Sequence, residues 1–225
     1  MFCLVLGLKK CYIKSVTLVA WIFFCYTSSM YKKNSAAVSF IFKFFLGIVF
    51  AFFNLGLYYL NSSFSVPLYM DTLFTVTASF FSLASGIVCA LVFHLLCIFI
   101  YDFPLYSMAW SVCSLTVVFI IRFYLAKRDE NSLFDILAIF FIIVLVVSFE
   151  GAVIFTILEA SANYADDSQV RFMYTLLRSF KIPVFLSALL PRFPVNLVDK
   201  AICVPLGFLC YKGLDRIFRR KTATA

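Results

Sequence analysis

The stretch Pro67–Tyr101 reads PLYMDTLFTVTASFFSLASGIVCALVFHLLCIFIY. Asp71 stands near its start, and the roughly thirty residues after it carry no ionisable side chain before Tyr101 except Cys89, His94 and Cys97. A stretch of that kind belongs in lipid. A bilayer core about 30 Å thick is crossed by roughly 20 helical residues at 1.5 Å rise, so the stretch is too long for one upright helix and suits two shorter ones. The break is expected at Ser82-Leu83-Ala84-Ser85-Gly86, where small residues interrupt a run of large ones.

The rest of the chain has the same character. Hydrophobic residues make up 64% of the 225, charged residues 13%, and the mean hydropathy is +1.03, against about 25% charged in soluble domains. The composition is that of an all-α integral membrane protein. Its length accommodates about six spans with short loops and leaves no room beside them for a soluble catalytic or ATPase module. The formal charge of +8 comes from small clusters such as Lys9-Lys10, Lys32-Lys33, Lys127-Arg128 and Arg219-Arg220-Lys221. These read as topology signals at helix ends, not as a nucleic-acid surface. The eight cysteines are scattered through apolar runs without a CxxC pair, and the single histidine sits mid-span. Neither a metal site nor a cofactor is expected from them.

The predicted organisation has three parts: an N-terminal hydrophobic segment (1–30), a six-span membrane domain (31–217) and a basic cytoplasmic tail (218–225). Within the domain, spans are predicted at 38–60, 70–83, 85–101, 105–126, 133–158 and 195–216. A turn is expected through Asp102-Phe103-Pro104. Residues 171–192 mix Arg171, Arg178, Lys181 and Pro183 with apolar side chains, which predicts an interfacial or partly re-entrant helix before the last span. Basic residues collect on the cytoplasmic side of short loops. That rule puts Lys32-Lys33, Lys127-Arg128 and the RRK tail inside, and the NSSF loop, Asp102–Pro104 and the acidic loop after Glu159 outside. The cations of 171–192 are the exception. For residues 1–30 three readings stand: a signal-like segment, a short extra helix, or sequence upstream of a start at Met30.

PLYMDTLFTVTASFFSLASGIVCALVFHLL follows an uncharged span that carries Asn54, and PVNLVDKAICVPLGFLCYKGL lies near the C-terminus. Together they resemble the membrane-embedded substrate-binding S components of energy-coupling-factor (ECF) transporters. Those proteins often show a Pro-x-Tyr/Phe-x-Asp-Thr lead into the second helix, a small-residue turn into the third and an Asp-Lys pair opening the sixth. The resemblance covers roughly residues 38–216. It implies a compact six-helix transmembrane bundle in the cytoplasmic (inner) membrane, with a small-molecule site opening outward. It also implies, as partners, a transmembrane coupling subunit and ATPase subunits. The first helix of many S components docks through small residues at four-residue spacing, and here Gly47 and Ala51 are the only such pair in the first span.

Candidate ligand-binding residues are Asn54, Asp71, Glu150, Asn196, Asp199 and Lys200. Glu150 lies deep in a span, where an acid is costly unless paired, protonated or facing a cavity; a ligand- or proton-linked role and a structural hydrogen bond both fit. Asp199 and Lys200 are adjacent, so they project about 100° apart and are not expected to line one site from the same face. Pairing of one of them with Asp71 or a loop residue is the alternative to ligand contact. Asp71 reads either as the cap of its helix or as a ligand contact. Asn54 and Asn196 read as ligand contacts or as hydrogen bonds between helices. His94 reads as a satisfied intramembrane histidine. The function expected is a substrate-capture subunit for a vitamin-like solute, not an enzyme. The alternative is a membrane sensor or assembly protein on the same six-helix module.

Overall fold

The computed structural model describes residues 36–64, 68–126, 132–162 and 170–223. The N-terminal segment 1–30, Lys32-Lys33, Lys127-Arg128 and the acid-rich residues 163–169 lie outside the described residues. Those described are helical, with no strand among them: α1 (Ala36–Phe64), α2 (Leu73–Phe81), α3 (Leu83–Tyr101), a 3₁₀ turn (Leu105–Trp110), α4 (Ser111–Leu125), α5 (Leu133–Ala162), α6 (Val170–Ser179) and α7 (Val184–Ala223). Among the described residues, five stretches are long and apolar enough to cross a membrane, in α1, α3, the 3₁₀ turn with α4, α5 and α7. The protein is a multi-pass, all-α membrane protein. Large apolar side chains such as Phe99, Phe123 and Phe134 point away from the bundle, 78%, 70% and 82% exposed, which is the natural outer surface of a chain solvated by acyl chains.

The break in the Pro67–Tyr101 stretch falls at Ser82. Its backbone is extended, with φ −164° and ψ 159°, and its Oγ accepts the Ser85 amide at 3.0 Å, capping α3. The helix before it has nine residues, a rise of about 14 Å, so α2 is a helix of the bundle that does not cross a bilayer by its own length. Asp102 closes α3 in the left-handed region at φ 53°, and Pro104 follows at the start of the 3₁₀ turn, as the Asp-Phe-Pro turn predicts.

Contacts fix the directions of the helices. Gly47 meets Ser85 and Val88, and Tyr58 meets Tyr101, so α1 and α3 run parallel. Between them α2 runs the other way, with Phe74 near Asn54 and Phe81 near Phe50. His94 with Ser114, and Gly86 with Val118, set α4 antiparallel to α3. Tyr124 with Asp135 and Thr116 with Glu150 set α5 antiparallel to α4. Finally α7 descends against α5 and beside α2, from Arg192 over Phe155 to Tyr211 on Phe81. Close approach of α7 to α2 depends on Gly207. A Cβ there would stand 2.8 Å from Val76 Cγ1 and 2.9 Å from the Leu73 carbonyl. Between lipid-embedded helices, small residues of this kind permit the dense van der Waals packing that holds them together.

The stretch 171–192 differs from its expectation. Only Val170–Ser179 forms a separate helix. The chain turns at Phe180 and Lys181, the latter at φ 61°, and Val184–Arg192 is already the first part of α7. Pro191 and Pro194 do not end the helix, and neither does Pro205. Each proline removes one amide donor, a loss that membrane helices tolerate. The last helix therefore begins at Val184 rather than near 195, and it continues as backbone helix through the basic tail to Ala223. Within α6, Val170 is buried while Phe172, Met173 and Leu176 are exposed beside Arg171 and Arg178. Tyr174 donates to Glu159 of α5.

Candidate functional site

Each helix that builds the bundle brings one or two polar side chains to the same circuit. Asn54 of α1 accepts the Phe74 amide at 2.9 Å and donates to Thr75 Oγ1 at 2.9 Å, joining α1 to α2. Thr72, at the head of α2, accepts from Lys200 Nζ of α7 at 2.7 Å. Asn196, one turn earlier on α7, donates to Ser148 of α5 at 3.1 Å. Two residues on, Glu150 accepts from Thr116 of α4 at 2.9 Å. Ser114 of α4 lies 3.0 Å from His94 Nε2 of α3, and Cys89 of α3 lies 3.7 Å from Asn54 Nδ2. The circuit closes on the residue where it began. Six helices are thus linked around a ring by side-chain hydrogen bonds in a region otherwise filled by Phe, Leu, Ile and Val.

Its densest part is the junction of α2 and α7. Asp199 is 0% exposed and Lys200 2%. Lys200 Nζ lies 2.6 Å from Asp199 Oδ2 and 3.6 Å from Asp71 Oδ1. Asp199 Oδ1 takes the Met70 amide at 2.7 Å and stands 3.9 Å from Cys203 Sγ. Met70 holds the left-handed φ of 47° that aims its N–H at this carboxylate. A buried pair of this kind is tolerable only because the remaining donors and acceptors are met.

Of the six predicted residues, the structure brings all into or beside this ring but divides their roles. Asp199 and Lys200 do serve one cluster, because the four-carbon lysine stem reaches back over the backbone. The 100° separation of their Cα–Cβ bonds does not keep the charged ends apart. Asp71 does not cap α2: the residue before Leu73 is Thr72, which makes no side-chain cap, and the amide of Phe74 is met from another helix by Asn54. Asn54 and Asn196 act as links between helices. Asp71 meets Lys200 at 3.6 Å and Glu150 accepts from Thr116. Asp71 Oδ1 and Glu150 Oε2 are buried and make no hydrogen bond, while the Asp71 side chain as a whole is 27% exposed.

Sequence reasoning missed Met70, Thr72, Thr116 and Ser148, whose types are too common in membrane helices to stand out. It also missed the box around Arg192. That residue is 3% exposed, with its guanidinium 4.4 Å over the Phe155 ring and 5.7 Å from Trp110 and Nη1 donating to the Ala188 carbonyl at 3.1 Å. The signal was present as a lone cation between two prolines, which is costly in lipid unless it faces the interior. The described cysteines are free thiols. No protein-family model, curated protein or solved structure matches this chain.

Proposed function

We propose that this protein is the substrate-capture subunit of an ECF-type importer: a six-helix module formed by α1–α5 and α7 in the cytoplasmic membrane. It binds a small vitamin-like solute from the outside and relies on a coupling subunit and ATPase subunits for uptake. The observation that carries the reading is the closed polar ring, which brings the carboxylates Asp71, Glu150 and Asp199 and the buried Lys200 into an otherwise apolar bundle. Ionisable side chains inside membrane helices are rare, and they ordinarily face the bundle interior and mark solute pathways. PLYMDT and VNLVDK meet at the junction of α2 with α7, while the Ser82 break lies at the other end of α2; their order along the chain supports the same reading. The test is purification of the tagged chain in mild detergent from its own membranes, followed by mass spectrometry of proteins and retained small molecules. Coupling and ATPase subunits together with a solute are expected; a bare chain without a solute refutes the reading.

One observation favours the second reading, a membrane sensor or assembly protein without a transport partner. Gly47 and Ala51 are turned inward. A Cβ at Gly47 would stand 2.6 Å from the Ser85 carbonyl, and Ala51 is 0% exposed. The small pair is therefore used inside the bundle, and the outward face of α1 presents Phe40, Ile41, Phe44 and Phe45. A coupling subunit would have to meet that bulkier face.

A further inference from the structure

One helix of the fold keeps most of its surface outside the bundle. It is α6, Val170–Ser179, which leads through Phe180 and Lys181 into α7. At about 100° per residue its side chains divide into three faces. Val170, buried, and Tyr174 and Leu177, half-buried, turn towards the bundle, where Tyr174 packs edge-on against Phe155 and donates to Glu159. Phe172, Met173 and Leu176 form a second face, and it is exposed, with Phe172 at 73% and Phe180, just beyond the helix, at 70%. Arg171, Thr175 and Arg178 form the third, exposed as well. Arg178 Nη1 donates to the Ile182 carbonyl at 2.7 Å, which holds the guanidinium at the turn that carries the exposed Lys181. From Val170 to Pro183 the chain has three cations and no acid.

An exposed apolar face beside a cationic one is the pattern of a helix lying in the membrane interface, its apolar side chains sunk about 5–10 Å towards the acyl chains and its cations among the headgroups. The adjoining α5 and α7 present exposed Phe149, Ile157 and Leu186 as well, so this face adds to a surface already solvated by lipid. Charge selects the headgroup. A guanidinium meets a phosphodiester through paired N–H donors, and a leaflet of net negative charge attracts each further cation, which a zwitterionic one does not. We propose that α6 and its turn form a docking surface for anionic phospholipid, with Phe172 and Phe180 in the acyl layer and Arg171, Arg178 and Lys181 on the phosphates. These cations are the exception to the rule that collects basic residues inside, and the headgroup contact gives them their role. The surface is separate from the polar ring and does not rest on the substrate-capture reading.

The experiment titrates the full chain in mild detergent with phosphatidylglycerol and with phosphatidylcholine of the same acyl length, and follows the thermal unfolding midpoint. Phosphatidylglycerol is expected to act at a concentration about a hundredfold lower, about fivefold for each of the three cations. Arg171→Gln and Lys181→Gln change exposed side chains and are each expected to cut that preference about fivefold, and together about twenty-fivefold. Arg178 is left in place because it ties the turn. Depth is read independently of charge. In vesicles of the two lipids, Phe172→Trp is expected to add fluorescence that lipids brominated on the acyl chain quench, beyond the quenching of the wild-type chain. Equal action of the two lipids, or a preference unchanged in the double variant, overturns the proposal. Added emission that brominated chains leave untouched overturns it too, since it would show the face covered by protein and not by lipid.

Discussion

Lys200→Met isolates the charge balance at the α2–α7 junction. Methionine keeps the length and volume of the side chain, so the change removes the ammonium without opening a void. What it leaves behind is Asp199, 0% exposed, with one oxygen still held by the Met70 amide at 2.7 Å and the other with no partner. Breaking a buried pair by deleting one member costs about 3–5 kcal/mol, because the remaining charge stays desolvated. For a chain of this size, at about 2–4 °C per kcal/mol, the unfolding midpoint is expected to fall by about 6–20 °C. The assay is thermal unfolding of the purified chain in mild detergent, followed by size exclusion or intrinsic fluorescence. Deleting both charges in Asp199→Asn/Lys200→Met removes the stranded carboxylate while asparagine still accepts the Met70 amide. That double variant is expected to recover about half or more of the loss. A shift below about 2 °C for the single variant would refute the reasoning. A double variant as unstable as the single would refute it too, since it would place the cost in lost packing and not in charge.

Asn54→Leu strips the Phe74 amide of its acceptor and Thr75 of its donor, and about 1–3 kcal/mol of stability should go with them in the same unfolding assay. Gly207→Ala forces a methyl group to within 2.8–2.9 Å of Val76 Cγ1 and the Leu73 carbonyl; overpacking of this kind costs about 1–3 kcal/mol, read as a lower midpoint and accelerated cleavage near Leu73 on limited proteolysis. Outside the spans, burial and then the Glu159 carboxylate push the Tyr174 phenol up to about 12 from 10.0. The unfolded chain releases that proton first as pH rises, so the stabilisation is complete below pH 10 and is lost between 10 and 12. Comparing midpoints of the wild type and Tyr174→Phe across that window should show a downward slope only where the phenol is present.

The membrane class and the division of Pro67–Tyr101 at a serine were legible because both rest on local chemistry: an apolar run long enough for lipid, and a small polar residue able to cap the helix after it. The length of α2 was not legible, because the amide that starts it is satisfied by Asn54, some twenty residues away on another helix. Local sequence therefore suggested a cap by Asp71 that the structure does not use. The start of α7 was misplaced as well: the cations and Pro183 of 171–192 suggested a segment apart from the last span, whereas Val184–Arg192 belongs to the last helix, which runs through Pro191 and Pro194. Asp199 and Lys200 were misjudged through their Cα–Cβ directions, since the lysine stem is long enough to overrule them.

The polar residues of the ring were all visible in the sequence as interruptions of apolar runs, but their division of labour was not. Membrane helices use Asn, Ser and Thr to hold one another, and the same residue types line ligand sites, so type and depth alone do not separate the two uses. Valence does. Once each donor and acceptor is assigned, Asn54 and Asp199 are held at both ends and Lys200 by Thr72, Asp199 and Asp71, whereas Asp71 has only the 3.6 Å contact to Lys200 and Glu150 a single 2.9 Å bond from Thr116 on the neighbouring helix. Substitutions at the first three should therefore cost more stability than conservative amide substitutions at the last two, which keep an oxygen for Thr116 and for Lys200 to meet. A fall in the unfolding midpoint for Glu150→Gln as large as that for Asn54→Leu would overturn this ranking, because it would make Glu150 as much a part of the fold as the residue that holds α1 to α2.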